Sequence, residues 1–392
     1  MFNLIVKRKV FEEFFFYLFI LVPYLSVFTK QIDTSPYALI ISTYIFILIK
    51  NKSLPYHSYI LLFGSFFAFL IIFITHIELL SIRSFLGYFS LFIISSSTYF
   101  VLKKNNGFNY KLFIFFVYLW FFVGLVQLFI DESFMTFLLD RYRSGGGRGV
   151  TGLAPEPTYY GTVALFIFFI SVIINYRVKL IFFISLIEVV FLSKSSTAIL
   201  LVLVLIFIYG ILNLKFKTII LYIVGAISFY FFIIDYLYLF QGNRFYGVLR
   251  GILEDPLYLM TRDESVSERL FHVFFAYKGF FDNYGLPNGF TSFKLYLTEN
   301  LPIYYPYTEL IKPTRTIMSG IGGIFFELGF MGFIYIFFFF LLIKQAEKNF
   351  TKAMFLFLYL MIILNTSVPL TFPYIGFVIG ILLYKLNHKE KF

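Results

Sequence analysis

The sequence contains no cysteine and few charged residues. The missing thiols exclude disulfides and thiolate metal sites, but they identify no compartment. Only 14% of the 392 residues are charged and 60% are hydrophobic, with a mean hydropathy of +0.86. Soluble domains carry about 25% charged residues. The composition therefore predicts an integral membrane protein.

Several functional motifs are also missing. No HExxH, EF-hand, P-loop or GxGxxG pattern occurs, and none of the four histidines has metal-ligand spacing. We therefore expect no metal, no cofactor, no nucleic-acid partner and no direct use of a nucleotide.

What is present is a series of apolar runs between charged breaks. They predict an all-α polytopic membrane protein with about 12 transmembrane helices. The first run follows Lys7-Arg8-Lys9 without a small-residue cleavage site, so we expect it to be retained. Leu180 to Leu192 is short and either leans on its neighbours or is re-entrant. The predicted spans are Phe11 to Phe28, Tyr37 to Ile49, Tyr59 to Ile74, Phe85 to Leu102, Leu112 to Ile130, Tyr159 to Ile174, Leu180 to Leu192, Ala198 to Leu212, Ile219 to Phe240, Ile317 to Ile343, Ala353 to Leu364 and Thr371 to Leu386.

Lysine predicts the orientation of these spans. With the N-terminus in the cytoplasm, 16 of 21 lysines lie on the inner side, as the positive-inside rule requires. An even number of spans then places both termini in the cytoplasm. The predicted organisation is helices 1–5 in residues 1–130, an outer loop in 131–157, helices 6–9 in 158–240, a large outer loop in 241–316, and helices 10–12 with a cytoplasmic tail in 317–392.

Arginine is distributed differently from lysine. Nine of 11 arginines lie on the predicted outer side. The planar guanidinium binds phosphate through two hydrogen bonds, so this cluster predicts an anionic ligand. The alternative is that long loops are translocated whatever their charge and that these arginines pair with local acids. The nine are Arg83, Arg141, Arg143, Arg148, Arg244, Arg250, Arg262, Arg269 and Arg315.

The large outer loop is rich in aromatic residues. Eight tyrosines and eight phenylalanines predict a folded segment, with the rings lining a sugar groove or forming the core of the loop itself. Ser267 to Phe281 has helical periodicity, with Ser267 as the N-cap. We expect Arg269 and His272 on different faces of this helix.

The sharpest local motif runs from Arg148 to Gly161. Pro157 suits the first turn of a membrane helix, and Glu156 is either a cap near its positive end or one half of an ionisable pair with Arg148 at the membrane edge. Tyr159 and Tyr160 follow. Ser193 to Thr197 is a polar break that either lines a cavity or bonds to the backbone, and Lys194 within it favours an anion site.

A glycine-rich motif precedes the last part of the chain. Ser319 to Gly332 carries small residues that predict close helix packing, whereas Glu327 within it must be paired, protonated or near water.

These segments together resemble the bacterial O-antigen polymerase and ligase superfamily. The resemblance covers Arg148 to Gly332 and depends on Arg148 to Gly161, Ser193 to Ala198, Ser267 to Gly285 with Gly289, and Gly322 to Gly332. It implies a multi-pass protein of the bacterial inner membrane. Ligases of the superfamily carry a histidine shortly before the last motif, where this chain has Thr314-Arg315-Thr316-Ile317-Met318, so a polymerase is favoured.

The resemblance implies transfer of a growing saccharide from undecaprenyl pyrophosphate to a lipid-linked repeat unit. Partners would be those lipid-linked oligosaccharides, membrane lipid, a chain-length regulator and a flippase. Glu156 is the first candidate base and His272 the second, while Arg148 and Arg269 would stabilise the leaving pyrophosphate. The further candidates for binding the pyrophosphate or the saccharide are Arg141, Arg143, Arg244, Arg250, Arg262, Arg315, Tyr159, Tyr160 and Lys194.

Three other functions stay open at this point. A ligase would join finished polymer to an acceptor, and a flippase or other transporter would move the lipid-linked unit. Transporters place ionisable groups near the bilayer midplane, whereas the middle spans here are nearly free of charge apart from Asp235. The last alternative is a structural scaffold.

Overall fold

In the computed structural model, helices are the only regular secondary structure within the ranges that it describes. These are residues 2–26, 35–49, 53–75, 79–142, 149–213, 264–366 and 368–388, with a few positions between 224 and 262. Short 3-10 helices occur at Thr136–Leu138 and Leu301–Tyr304, and a π-helix at Glu188–Ser193 continues α7. The α-helices are α1 (Phe2–Leu21), α2 (Tyr37–Leu48), α3 (Ser58–Thr75), α4 (Leu79–Lys104), α5 (Tyr110–Phe129), α6 (Pro157–Ile174), α7 (Val178–Ile187), α8 (Ser196–Leu212), α9 (Glu264–Asp282), α10 (Phe293–Asn300), α11 (Gly320–Leu328), α12 (Met331–Ala346), α13 (Phe350–Thr366) and α14 (Pro373–Asn387).

Many of these helices are apolar along most of their length. By length and composition, three helices can cross a membrane: Ser81–Lys104 within α4, and the whole of α5 and α6. Six shorter apolar helices, namely α2, most of α3, α8, α12, α13 and α14, have 10–17 residues. The protein is therefore all-helical in its described part, with the long apolar helices of a membrane protein.

The predicted spans overlap helices wherever the structure describes them. Of Ile219 to Phe240 the structure describes only positions 224, 225 and 228, which are helical. The first helix ends at Leu21 rather than Phe28, since Pro23 follows and the residue before a proline disfavours helical backbone. Charged breaks thus indicate where apolar helices occur, and proline shifts one of their ends.

The most extensive helix contact in the described part of the chain joins α4 to α14. A Cβ added at Gly380 of α14 would lie 2.4 Å from Cβ of Thr98 in α4, so the two backbones approach as closely as glycine allows. Next to them, the carbonyl oxygen of Leu21 accepts hydrogen bonds from Trp120 Nε1 at 2.9 Å and from the Tyr374 hydroxyl at 2.6 Å. These bonds fix α1, α5 and α14 together in the core.

The prediction of one continuous helix from Ile317 to Ile343 is wrong. The structure has two helices there, α11 and α12, because the chain turns at Gly329. Gly329 has φ +60° and ψ −133°, a conformation that favours glycine. The next backbone amide, of Phe330, donates to the Gly285 carbonyl oxygen at 3.1 Å. Contact with a distant segment therefore breaks the helix.

The segment predicted to be the large outer loop is folded in its described part. Phe271 and Phe275 of α9 pack with Phe293, Leu297 and Phe326 in a second small core. These aromatic rings form the loop's own core, which is the alternative to a sugar groove that the composition left open. Other rings stay outside: the Tyr284 and Tyr305 side chains are 88% and 68% exposed.

The predicted start of the loop helix is also wrong. Helix α9 begins at Glu264, three residues before Ser267, and Ser267 is buried inside the helix instead of capping it. Glu264 stands in the first turn, where a carboxylate interacts favourably with the positive end of the helix.

Candidate functional site

The first two sequence motifs meet although they lie about 40 residues apart in the chain. The Val150 amide donates to the Leu192 carbonyl oxygen at 2.8 Å. A Cβ at Gly149 would lie 2.2 Å from the carbonyl oxygens of Leu192 and Ser193, so only glycine fits there. The Ser195 hydroxyl lies 3.1 Å from Oγ1 of Thr158. Arg148 precedes this contact by one residue and lies outside the described residues.

Glu156 and Pro157 form the start of α6. Pro157 is in the first turn, as predicted, and Glu156 occupies the N-cap position. The Glu156 carboxylate makes no capping hydrogen bond to the helix, whereas its carbonyl oxygen accepts from the Tyr159 and Tyr160 amides at 3.1 and 3.2 Å. The side chain is half-buried. Glu156 is therefore placed at the helix start without acting as a side-chain cap.

Tyr159 and Tyr160 face different surroundings. The Tyr159 ring is half-buried, 5.7 Å from the Tyr24 ring. Tyr160 is fully buried and stacks on Trp120 with ring centroids 5.7 Å apart. Contact between Tyr160 and a substrate would require its ring to leave the core. Its hydroxyl lies 3.3 Å from the Trp120 carbonyl oxygen and 3.4 Å from Oε1 of Glu188, both of them acceptors.

The sequence interpretation missed Glu188. This carboxyl is fully buried in the π-helix that continues α7, and its Oε2 has no hydrogen-bond partner. The statement that the middle spans are nearly free of charge is therefore incomplete. The signal was present, because an ionisable residue inside an apolar run marks a functional candidate. Short π-helical segments are also frequent at functional sites.

The polar break after the π-helix is used for local structure. The Ser195 hydroxyl accepts from the Ala198 amide at 3.4 Å and caps α8, as the structural alternative proposed. Lys194 takes up left-handed backbone with φ 47° and is half-buried. Lys194 therefore forms the turn between the π-helix and α8, whose neighbouring Leu192 carbonyl oxygen contacts the segment that follows Arg148.

The third and fourth motifs also meet. Helices α9 and α11 run parallel, because Ala276 lies next to Gly322 and Gly279 lies next to Phe326. Further along, the Asn288 amide donates to the Phe326 carbonyl oxygen at 2.9 Å. The glycines of both helices therefore serve close packing, as the sequence indicated for the fourth motif.

His272 lies between α9 and the residues that lead into α11. It is fully buried, and its Nδ1 accepts from the Met318 amide at 3.2 Å. The proton of the neutral ring is then on Nε2, which lies 3.4 Å from Oγ1 of Thr314. Burial, and then the positive charge of Arg269, lower the pKa of His272 to about 4.

Arg269 lies one helical turn before His272 and is 8% exposed. The expectation that the two side chains occupy different faces is wrong, since positions three apart are neighbours on a helix and the Arg269 charge acts on the His272 ring. Arg269 and His272 thus occupy neighbouring positions of α9, and His272 contacts the segment that leads into α11.

Glu327 lies at the other end of α11. Its Oε2 accepts a hydrogen bond from the Tyr88 hydroxyl at 2.6 Å. The carboxyl group is therefore paired, which is one of the three alternatives that the sequence left open. The bond joins α11 to α4 just before the turn at Gly329.

Helix α13 contacts α6, which the first motif begins, and the helices α9 and α11 of the second motif pair. The Tyr359 hydroxyl donates to the Leu165 carbonyl oxygen of α6 at 2.8 Å. At the C-terminal end of α13, Asn365 Oδ1 accepts from the Tyr277 hydroxyl of α9 at 3.0 Å and from the Ser319 hydroxyl, the N-cap of α11, at 3.3 Å. Sequence reasoning missed Asn365 because an isolated amide near a helix end gives no pattern.

The remaining predicted arginines divide into two groups. Arg141, Arg262 and Arg315 have exposed side chains. The predictions for Arg143, Arg148, Arg244 and Arg250 fall outside the described residues.

No group of three or more His, Asp or Glu side chains able to hold a metal ion occurs within the described ranges.

We expect acid to destabilise the protein through His272. Its pKa is about 4 when folded and near 6.5 when unfolded, so the unfolded chain takes up the proton first as pH falls. The resulting decrease in the free energy of unfolding is absent above pH ~6.5 and reaches up to about 3 kcal/mol near pH 4. The melting temperature should drop less between pH 7 and pH 4.5 for His272→Asn than for the wild-type protein. Equal falls would contradict the prediction.

No family model matches the sequence. No curated protein matches it either.

Proposed function

We propose that this chain is a polysaccharide repeat-unit polymerase of the bacterial cytoplasmic membrane. It would transfer a growing saccharide from undecaprenyl pyrophosphate to a lipid-linked repeat unit at the outer face. The observation that carries the proposal is the pairing of the four motifs. They form two compact pairs, and α13 bonds through Tyr359 to α6, the helix that the first motif begins, and through Asn365 to α9 and α11 of the second pair.

Charge supports an anionic lipid substrate. Arg269 is nearly buried beside His272, and Lys194 stands in the turn that contacts the residues after Arg148. A guanidinium in a partly desolvated position binds pyrophosphate more strongly than one in water, because the local dielectric is lower. Each motif pair thus contributes a cation. At the first pair, Arg148 directly precedes Gly149, the residue that contacts the second motif.

The proposed reaction is a displacement at the anomeric carbon. The bond from that carbon to the pyrophosphate oxygen breaks, and the acceptor hydroxyl oxygen forms the new glycosidic bond. The pyrophosphate leaves with the electron pair, and Arg148 and Arg269 stabilise its negative charge in the transition state. The hydroxyl proton passes to a carboxylate, for which half-buried Glu156 is the first candidate.

His272 fits a positioning role better than that of the base. Its one basic lone pair, on Nδ1, already accepts from the Met318 amide, and its lowered pKa weakens it as a proton acceptor near neutrality. The ring instead ties α9 to the segment that begins α11, which keeps Arg269 in place.

The ligase is a second candidate for a specific reason. Ligases carry a histidine just before the last motif, and here the His272 ring contacts Thr314 and Met318 of that very segment. An imidazole from α9 therefore stands near where the ligase histidine would be, although it comes from another part of the chain. Buried Glu188 likewise leaves the transporter as a third reading.

The decisive experiment is a size profile of surface polysaccharide. A strain that lacks the gene is compared on a gel with its complemented derivative. We expect single repeat units in the mutant and a ladder after complementation. Full-length polymer accumulating on the lipid carrier would instead indicate a ligase, and absence of repeat units from the outer face would indicate a transporter.

Reporter fusions test the proposed topology of twelve spans with both termini in the cytoplasm. Fusions at Gly146 and Ser292 should report the outer side, and one at Asn349 should report the cytoplasm. The ion pair of Lys104 with Glu12 at 3.7 Å supports one part of this topology, in which the start of the first span and the end of the fourth share a side. A reversed pattern would contradict the topology.

A further inference from the structure

A large apolar groove lies between α6, α7, α8 and α13, away from both motif pairs. Its volume is about 780 Å³. Phe168, Phe182, Leu205 and Phe355 contribute to its walls, one from each helix. Phe183 and Ile206 also line it and are 60% and 40% exposed, so the groove opens on the outer surface of the helix bundle.

The two polar side chains in the inner part of the groove offer no free hydrogen-bond donor. The Tyr359 hydroxyl donates to the Leu165 carbonyl oxygen at 2.8 Å, and the Ser185 hydroxyl donates to the Ala164 carbonyl oxygen at 3.0 Å. Because these donors are already used within the protein, this part is suited to hydrocarbon and not to a polar ligand.

One end of the groove is polar and positive. Lys179 is the second residue of α7, Lys352 is the third residue of α13, and Asn213 directly follows α8, so the three side chains share one end. The Glu347 carboxylate is shared between Lys352 and Lys385. Two ammonium groups against one carboxylate, together with Lys179, leave this end with a net positive charge.

The length of the groove matches one leaflet of a bilayer. Its lining on α8 runs from Val202 to Asn213, a rise of roughly 16 Å at 1.5 Å per residue. The hydrocarbon core of a bilayer is about 30 Å thick, so one leaflet provides about 15 Å. An acyl chain whose headgroup lies at the lysines would therefore end near Val202.

We propose that this groove binds a phospholipid with an anionic headgroup. One acyl chain lies between α7, α8 and α13, and the phosphate lies at Lys179 and Lys352. The lipid fills the space between helices that carry the first motif pair and the helix that joins both pairs. This site is separate from the saccharide chemistry and does not depend on it.

Lipid retention by the full-length protein tests the proposal. Protein purified in a mild detergent is titrated with phosphatidylglycerol or with phosphatidylcholine of the same acyl chains, and bound lipid is counted by native mass spectrometry. We expect one tightly retained phosphatidylglycerol and weaker retention of phosphatidylcholine. Equal retention of the two lipids, or none of either, would overturn the proposal.

Matched variants locate the site. Lys179→Glu should weaken retention of phosphatidylglycerol at least about fivefold, the effect of one basic residue near an anionic lipid. Lys111→Glu is the control, because Lys111 is exposed at the start of α5 and does not line the groove. Equal effects of the two substitutions would assign the binding to general surface charge and overturn the proposal.

A second variant pair tests the acyl-chain position. Ile206→Trp should fill the groove and reduce retention of phosphatidylglycerol at least tenfold, whereas Phe122→Trp, at an exposed position on α5, should not. Both variants should elute as single species in size-exclusion chromatography, which separates loss of the lipid from loss of the fold. Wild-type retention in a folded Ile206→Trp protein would overturn the proposal.

Discussion

Replacing Arg269 with alanine will remove long polymer and leave the protein in the membrane. Arg269 is 8% exposed on α9, beside the His272 ring that ties this helix to the start of α11. Removing one preorganised charge or donor from a transition state reduces rate by about 100- to 1,000-fold. A polymerase slowed to that extent would leave mainly single repeat units on a gel of surface polysaccharide.

Arg269→Lys separates charge from geometry. Lysine keeps the positive charge but cannot form two parallel hydrogen bonds to a pyrophosphate, so the variant should stay impaired. Lys294→Ala is the control, because Lys294 is exposed on the neighbouring α10. Protein levels and melting temperatures are measured alongside the ladder. A wild-type ladder in Arg269→Ala would remove Arg269 from the site, and full activity in Arg269→Lys would refute the bidentate contact.

Much of the helical organisation could be predicted from the sequence. Apolar runs between charged residues locate helices because unpaired charges are costly in hydrocarbon. Pro157 marks the start of α6 for a local reason, since its fixed φ suits the first turn. Predictions of this kind succeed when the cause lies within a few residues of the effect.

The wrong predictions have causes that are distant in sequence. The turn at Gly329 depends on the backbone of Gly285, and the same glycine pattern also suits an unbroken packed helix. Ser267 resembles an N-cap, but burial against neighbouring residues extends α9 beyond it. Such contacts between remote segments leave no local signal.

Single residues of the candidate site could be predicted from the sequence, but their arrangement in space could not. Arg269 and His272 were recognised from their residue types, whereas their contact with the segment from Thr314 to Met318 depends on the parallel pairing of α9 and α11. Asn365 was missed for the same reason. Its role comes from two hydroxyl groups brought to it by other helices.

Gly329→Ala will destabilise the protein strongly. A Cβ at this position would lie 2.5 Å from the Gly285 carbonyl oxygen and 2.8 Å from the Pro287 nitrogen, both backbone atoms that cannot rotate away. The positive φ adds strain of about 1 to 3 kcal/mol. We expect a total loss of about 3 kcal/mol or more, seen as a melting temperature lower by at least about 5 °C in detergent.

Gly323→Ala provides the matched control because Gly323 lies in α11, two turns before Gly329. The nearest atoms to its added Cβ belong to the Ile317 side chain at 3.8 and 3.9 Å, which is ordinary contact. Alanine favours a helix over glycine by about 0.5 to 1 kcal/mol, so this variant should melt at the wild-type temperature or slightly higher. If Gly329→Ala melted at the same temperature as Gly323→Ala, the turn between α11 and α12 would not require glycine. The contact with Gly285 would then not hold the two motifs together.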